Sequence, residues 1–188
     1  MEMQPPARTA ARPSRRRLWL VAVLAVVLGA GAVLLVKVLG DDEGESFKGP
    51  SGNSFTIERP DGWEQASKKE LAALRGSQLA VLRRTDGKAI IVITREDRST
   101  RQLGRLSRQL DTRLRRRIPD FRRISARTVK IKAGLALFYS YIRKTKGTAH
   151  SVVVVPGRSQ SYVLNAVVPA GENQIARQVG AMIRSFDF

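Results

Sequence analysis

Hydrophobic residues run unbroken from Leu18 to Val36 (LWLVAVLAVVLGAGAVLLV), with no charge and no polar stripe. A helix that is apolar all round needs an apolar solvent. At 1.5 Å rise per residue, a segment of this length spans roughly 28 Å, close to the hydrocarbon thickness of a bilayer. The pattern predicts a transmembrane helix over 18–39, with Trp19 at one interface and Lys37 snorkelling at the other. A cleaved signal peptide is the rival. Its core should stop at a small-x-small site, but here Val33, Leu34, Leu35 and Val36 continue past Gly29–Ala32.

After the apolar run, the period shortens and the punctuation becomes regular. Residues 40–53 are acidic, small and Gly/Pro-bearing, and read as a linker. From there residues 54–188 read as one domain. Ser54–Glu58 alternates and meets the turn Pro60-Asp61-Gly62, with Trp63 expected at a sheet edge. Ser67 and Glu70 form a capping box for a short helix through Arg75. Leu79–Thr85 and Lys88–Arg95 are β runs joined by Asp86-Gly87, a hairpin dipeptide.

A helix over 99–118 is expected next, capped by Ser99 or Thr100 and closed by Pro119. On it Leu103, Leu106, Leu110, Leu114 and Ile118 share an arc of about 120°. Arg98, Arg101, Arg105, Arg108, Arg115 and Arg116 share an arc of about 100° on the opposite side. Glu96 and Asp97 would complement the positive end of its dipole. Four β runs follow: Arg127–Lys132, Leu135–Lys144, Thr148–Val155 and Ser161–Val168. Val152–Val155 has no polar face, as in a strand covered on both sides. A last helix carries Ile175, Val179, Met182 and Ile183 on one face, with Phe186 and Phe188 packed beside it. Strands joined by tight turns imply an α+β domain with a mainly antiparallel sheet, its faces covered by three helices.

Charge adds orientation. Five arginines precede Leu18 (Arg8, Arg12, Arg15, Arg16, Arg17), and Asp41, Asp42, Glu43 and Glu45 follow the span. The positive-inside rule places the tail, 1–17, in the cytoplasm and residues from 40 onward outside the cytoplasm. Between Arg95 and Lys132 there are 14 basic residues and 4 acids. Compositional bias toward arginine would give a similar count without any function.

Several chemistries are unsupported by the sequence. There is no cysteine and a single histidine, His150, so thiolate and multi-His metal sites are excluded. No Walker loop, dinucleotide fingerprint, EF-hand run or G-x-S-x-G occurs, and no catalytic residue or cofactor is assigned. Gly157-Arg158-Ser159-Gln160 is a loop with weak anion-binding appeal. The arginine face of 99–118 stands out. Six like charges on one side gain from an anionic partner, and a guanidinium fork fits carboxylate or phosphate bidentately. Nucleic acid is a poor partner for a domain placed outside the cytoplasm without aromatic-interleaved motifs.

Phe55-Thr56-Ile57-Glu58-Arg59-Pro60-Asp61-Gly62-Trp63 resembles the opening strand and P-x-G-W turn of the PsbP-like superfamily. Ser161-Tyr162 and the closing Ile183-Arg184-Ser185-Phe186 resemble the end of the same pattern. The resemblance implies an α/β/α sandwich, shared with Mog-type Ran-binding proteins and many membrane-anchored bacterial envelope proteins. It brings no catalytic residues. The lipoprotein cysteine that many bacterial members use is missing here, and a helix anchor stands in its place.

The sequence therefore leads to a non-enzymatic, membrane-anchored extracytoplasmic module that binds a protein partner in a membrane complex. The alternatives are an electrostatic tether to anionic lipid or envelope polymer through the arginine face, and, third, an envelope hydrolase using His150.

Overall fold

The computed structural model describes residues 46–48, 55–73 and 78–188. These belong to one compact unit of the chain. The expected transmembrane helix, 18–39, and the tail, 1–17, expected in the cytoplasm, lie outside the described residues. Among the described residues, no helix is long and apolar enough to cross a membrane.

Nine strands and three helices are described. β1 (Ser46–Lys48), β2 (Thr56–Glu58) and β3 (Trp63–Gln65) precede a short helix, α1 (Lys68–Ala73). The hairpin β4 (Gln78–Arg84) and β5 (Ile90–Glu96) leads to α2 (Leu103–Arg117). Then come β6 (Phe121–Ile131), β7 (Gly134–Arg143), β8 (Thr148–Pro156), β9 (Ser161–Pro169) and α3 (Asn173–Ser185). Seven strands form one sheet in the order β3-β4-β5-β9-β8-β7-β6, every neighbouring pair antiparallel. β1 and β2 form a separate two-stranded sheet.

Successive residues of a strand point to opposite faces, which fixes the layers. Phe138 packs with the cluster that contains Ile175, Val179, Met182 and Ile183 of α3. Its neighbour Tyr139 instead donates to Asp111 of α2 at 2.9 Å. So α3 and α2 cover opposite faces. Leu82 belongs to the α3 cluster, while the adjacent Arg83 reaches Glu70 of α1 at 2.9 Å, which puts α1 on the side of α2. This is the α/β/α sandwich that the resemblance implies, built on the mainly antiparallel sheet expected from the order of elements.

Local chemistry explains the elements that match. Ser67 and Glu70 make the reciprocal capping box: Ser67 N–H donates to the Glu70 carboxylate at 2.7 Å, and Glu70 N–H donates to the Ser67 hydroxyl at 3.3 Å. Gly87, at φ 72°, closes the β4–β5 hairpin in the left-handed region that favours glycine. Val152–Val155 is buried throughout, inside the sheet between β9 and β7. Trp63 sits on the edge strand β3, buried, with its indole N–H donating to Gln178 of α3 at 3.3 Å.

Other expectations change. The helix expected over 99–118 begins only at Leu103. The Ser99 hydroxyl donates to the Gly157 carbonyl at 2.6 Å, and Thr100 N–H donates to the Ser161 hydroxyl at 3.0 Å. The Ser99 hydroxyl is thus drawn to the β8–β9 loop and the Thr100 backbone to the start of β9, and Gln102 takes the cap position without a side-chain bond. Glu96 ends β5, six residues short of that cap, and so does not serve the dipole; burial raises its pKa instead. β6 begins six residues before the expected Arg127. β3 was not expected, and β1 forms inside the stretch read as linker. The opening strand, β2, pairs with β1 rather than with the main sheet.

Candidate functional site, an arginine-rich helix and strand edge

Helix α2 lies across β6 and β7. Leu110, Leu114 and Ile118 are buried beneath it, and this apolar stripe turns the opposite face to solvent. Arg105, Arg108, Arg115 and Arg116 occupy that outer face, all exposed. Arg98 and Arg101 are exposed too, but they precede the helix, so helical spacing does not align them with the other four. Arg115, Arg116 and Arg117 fill the last turn, where cations complement the negative end of the dipole.

β6 enlarges the basic surface. It forms one edge of the seven-stranded sheet, and Arg122, Arg123, Arg127 and Lys130 along it are exposed. One acid organises the junction of helix and strand. Asp111 accepts from the Arg115 Nε at 2.8 Å, from Arg123 at 3.3 Å and from the buried Tyr139 hydroxyl at 2.9 Å. Burial opposes its ionisation, but the bonds from Arg115 and Tyr139 and the charges of Arg115 and Arg123 outweigh that and hold its carboxyl below the ordinary range. Arg115 also lies over the Phe121 ring at 5.7 Å, and Arg127 over Phe138 at 5.9 Å.

Asp120 is the other acid nearby. It accepts from Arg143 and from the Thr145 amide and hydroxyl, so it neutralises none of the α2 or β6 cations. Arg105, Arg108, Arg116, Arg117, Arg122, Arg127 and Lys130 make no ion pair among the described residues. Crowding is visible at Arg113, where burial and then the Arg117 charge lower the guanidinium pKa.

Asp111 is therefore the keystone of the junction. Asp111→Ala is expected to cost about 2 kcal/mol, because it leaves the Tyr139 hydroxyl buried without a partner. Urea denaturation of the variant beside Tyr139→Phe checks this. The double variant should cost less than the sum of the two single changes, since they break the same bond.

His150 does not form a nucleophile–base–acid set. Its Nε2 lies 3.0 Å from the Thr148 hydroxyl, and its ring stacks on Tyr141 at 4.8 Å and 9°. Among the described residues its Nδ1 has no hydrogen-bond partner, so no described carboxylate orients the ring as a triad requires. Burial and the Arg143 charge push its pKa down to about 4. The Gly157–Gln160 loop is closed on itself: Gly157 N–H donates to the Gln160 carbonyl at 2.7 Å, and a Cβ on Gly157 would come within 3.1 Å of the Phe188 ring. This packing leaves little room for an anion at Gly157.

No family model matches the chain, and no curated protein matches it. Solved structures do. The cyanobacterial PsbP protein (CyanoP) of Synechocystis sp. PCC 6803 superposes with a TM-score of 0.57 at 11% identity, over 82% of this chain and 97% of that one. The Ran-binding protein Mog1p of Saccharomyces cerevisiae superposes with a TM-score of 0.51 at 13% identity, over 77% of this chain and 94% of that one. At such identities the likeness carries the fold and not the function. With its antiparallel sheet between helices, the described domain has the PsbP/Mog1-type fold.

Proposed function

We propose that this protein is a non-enzymatic binding or assembly module. It docks through α2 and β6 onto an anionic surface of a protein partner in a membrane complex. The carrying observation is the set of exposed cations on α2 and β6 (Arg105, Arg108, Arg116, Arg117, Arg122, Arg127 and Lys130) that pair with no described acid, Asp111 taking only Arg115 and Arg123. Anchoring by residues 18–39, with residues from 40 onward outside the cytoplasm, is part of the proposal and is supported by the apolar run and its flanking charges. The fold serves as a binding scaffold elsewhere, since one of its structural neighbours is a Ran-binding protein. The lone histidine, with no described acid on its Nδ1, does not offer the base–acid pair that a Ser–His hydrolase uses.

The test reverses Arg105, Arg108 and Arg116 to Glu together in the full chain. All three are exposed and make no described ion pair, so the fold should lose only the small dipole contribution of Arg116 at the end of α2. Recovery of cross-linked partners from native membranes is expected to fall at least tenfold. Unchanged recovery would overturn the docking surface. Vesicles of anionic lipid, compared with zwitterionic ones, separate this reading from a lipid tether. If the wild-type domain binds anionic vesicles, loses them on reversal and yields no protein partner, the tether replaces the docking reading.

A further inference from the structure

The basic edge of β6 is also an open hydrogen-bonding edge. Among the described residues, β7 is its sole strand neighbour. In an antiparallel ladder, alternate residues bond inward to the neighbour and outward to nothing. The ladder closes at the tight turn pairing Ile131 with Gly134, so Ala126, Thr128 and Lys130 present their N–H and C=O groups outward. Beyond Phe121, whose N–H bonds the Ile118 carbonyl, no other backbone bond is described for the strand outside its ladder with β7. The regular stretch Ser125–Ile131 spans about 23 Å, enough to pair a short extended segment.

The side chains along this edge restrict what can pair there. Arg122 and Arg127 lie on the α3 side of the strand, opposite Ile142 and Phe138; Arg123 and Lys130 lie on the α2 side, opposite Tyr141 and Leu135. Cations thus flank the edge on both faces. A second copy of β6 would set like charges about 5 Å apart, which opposes pairing. An acidic strand reverses the sign of every such contact. At the far end a bulge between Arg123 and Ser125 turns Ile124 out of the sheet, 56% exposed, and ends the regular edge. The pairing site is therefore bounded as well as charged.

We infer that the outer edge of β6 receives an acidic, extended segment of a partner protein, which adds to the sheet as an eighth strand. The inference rests on the docking reading above and names what is docked and how. Backbone pairing supplies the affinity, and the cations on both faces supply the selection for acids.

The probe is a capped nonapeptide alternating glutamate and valine, titrated into the full-length protein in uncharged detergent micelles. Two control peptides accompany it, one with lysine in place of glutamate and one with every backbone amide N-methylated. Binding of the acidic peptide is expected, with at least tenfold weaker binding of both controls. Hydrogen exchange at the Ala126, Thr128 and Lys130 amides should slow at least tenfold on saturation. Thr128→Pro, which removes one outward N–H from an edge strand, should weaken the peptide at least tenfold while the far-ultraviolet spectrum is kept. If that variant unfolds, the N-methylated peptide still decides. Equal binding of the N-methylated peptide, or no slowing at the three amides, overturns strand addition and leaves charge-based docking standing. No binding of the acidic peptide overturns the inference, and it overturns the docking reading too only if the triple arginine reversal also leaves partner recovery unchanged.

Discussion

Phe186→Ala is expected to destabilise the domain by about 4 kcal/mol, the middle of the range for truncation of a buried aromatic ring. Phe186 is fully buried. Its ring lies 5.5 Å from Phe55, 5.5 Å from Tyr162 and 6.0 Å from Phe188, in tilted and edge-on arrangements that suit the ring quadrupoles. Those partners come from the start of the described domain, from β9 and from the end of the chain, so a cavity at Phe186 opens toward three segments at once. Its carbonyl also accepts from Ala133 N–H in the β6–β7 turn at 3.0 Å. The variant should unfold at lower urea concentration with an unchanged slope. Phe186→Leu, which keeps more of the volume, should lose less than half as much. A loss under about 1 kcal/mol for the alanine variant would show that the cluster does not hold the two ends together.

The second large effect depends on pH. His150 is buried and held neutral, its pKa pushed down from 6.5 to about 4 by burial and then by the Arg143 charge, with Asp120 acting weakly the other way. An unfolded chain takes up a proton on this histidine near pH 6.5, but the folded chain does so only near pH 4. Between those values the unfolded state binds more protons, so stability falls as the pH falls. The loss amounts to about 3 kcal/mol across the window, and nothing more is lost from this group below it. Carboxylates with depressed pKa values, such as Asp111 and Asp86, add their own losses at lower pH. Glu96, raised by burial, acts in the opposite direction. Comparison of wild type with His150→Gln at about pH 7, 5.5 and 4.5 isolates the histidine. The variant's stability should be nearly flat where the wild type's declines; parallel curves would contradict the neutral, buried state.

The sequence showed the second half of the domain best. β7, β8, β9 and α3 lie within a few residues of their expected places, because each combines a clear period with Gly or Pro punctuation. β6 is the instructive shortfall. Its first half, Phe121–Ala126, carries arginines at 122 and 123 and a bulge between Arg123 and Ser125. The bulge shifts the phase of alternation by one residue, and an edge strand needs no apolar residues along its outer side. A search for period two therefore sees only the part after the shift. β3 and β1 are three residues each, too short to show a period at all.

The candidate site was legible in its composition and not in its geometry. Four of the six arginines assigned to one helix face stand there; Arg98 and Arg101 do not, because the Ser99 hydroxyl and the Thr100 N–H bond to Gly157 and Ser161, and the helix starts only at Leu103. The contribution of β6 followed from sheet order, which local patterns do not carry. The spacing of Asp111 and Arg115, four residues apart on a helix, was a readable signal for their ion pair. The bond from Tyr139 to the same carboxylate, across 28 residues, was not.

Thr56 and Asp187 exchange two backbone hydrogen bonds, at 2.8 and 3.0 Å, while β2 stays out of the seven-stranded sheet. The Glu58 amide adds a bond to the Ser185 hydroxyl at 2.9 Å. Mechanically this is a strain-relief clamp. Tension arriving along the chain from residues before Phe55 meets the clamp and the Phe55–Phe186 stack before it reaches the hydrogen-bonded ladders of the large sheet. A tug on the leading end would peel the two short strands while the β6 edge kept its shape.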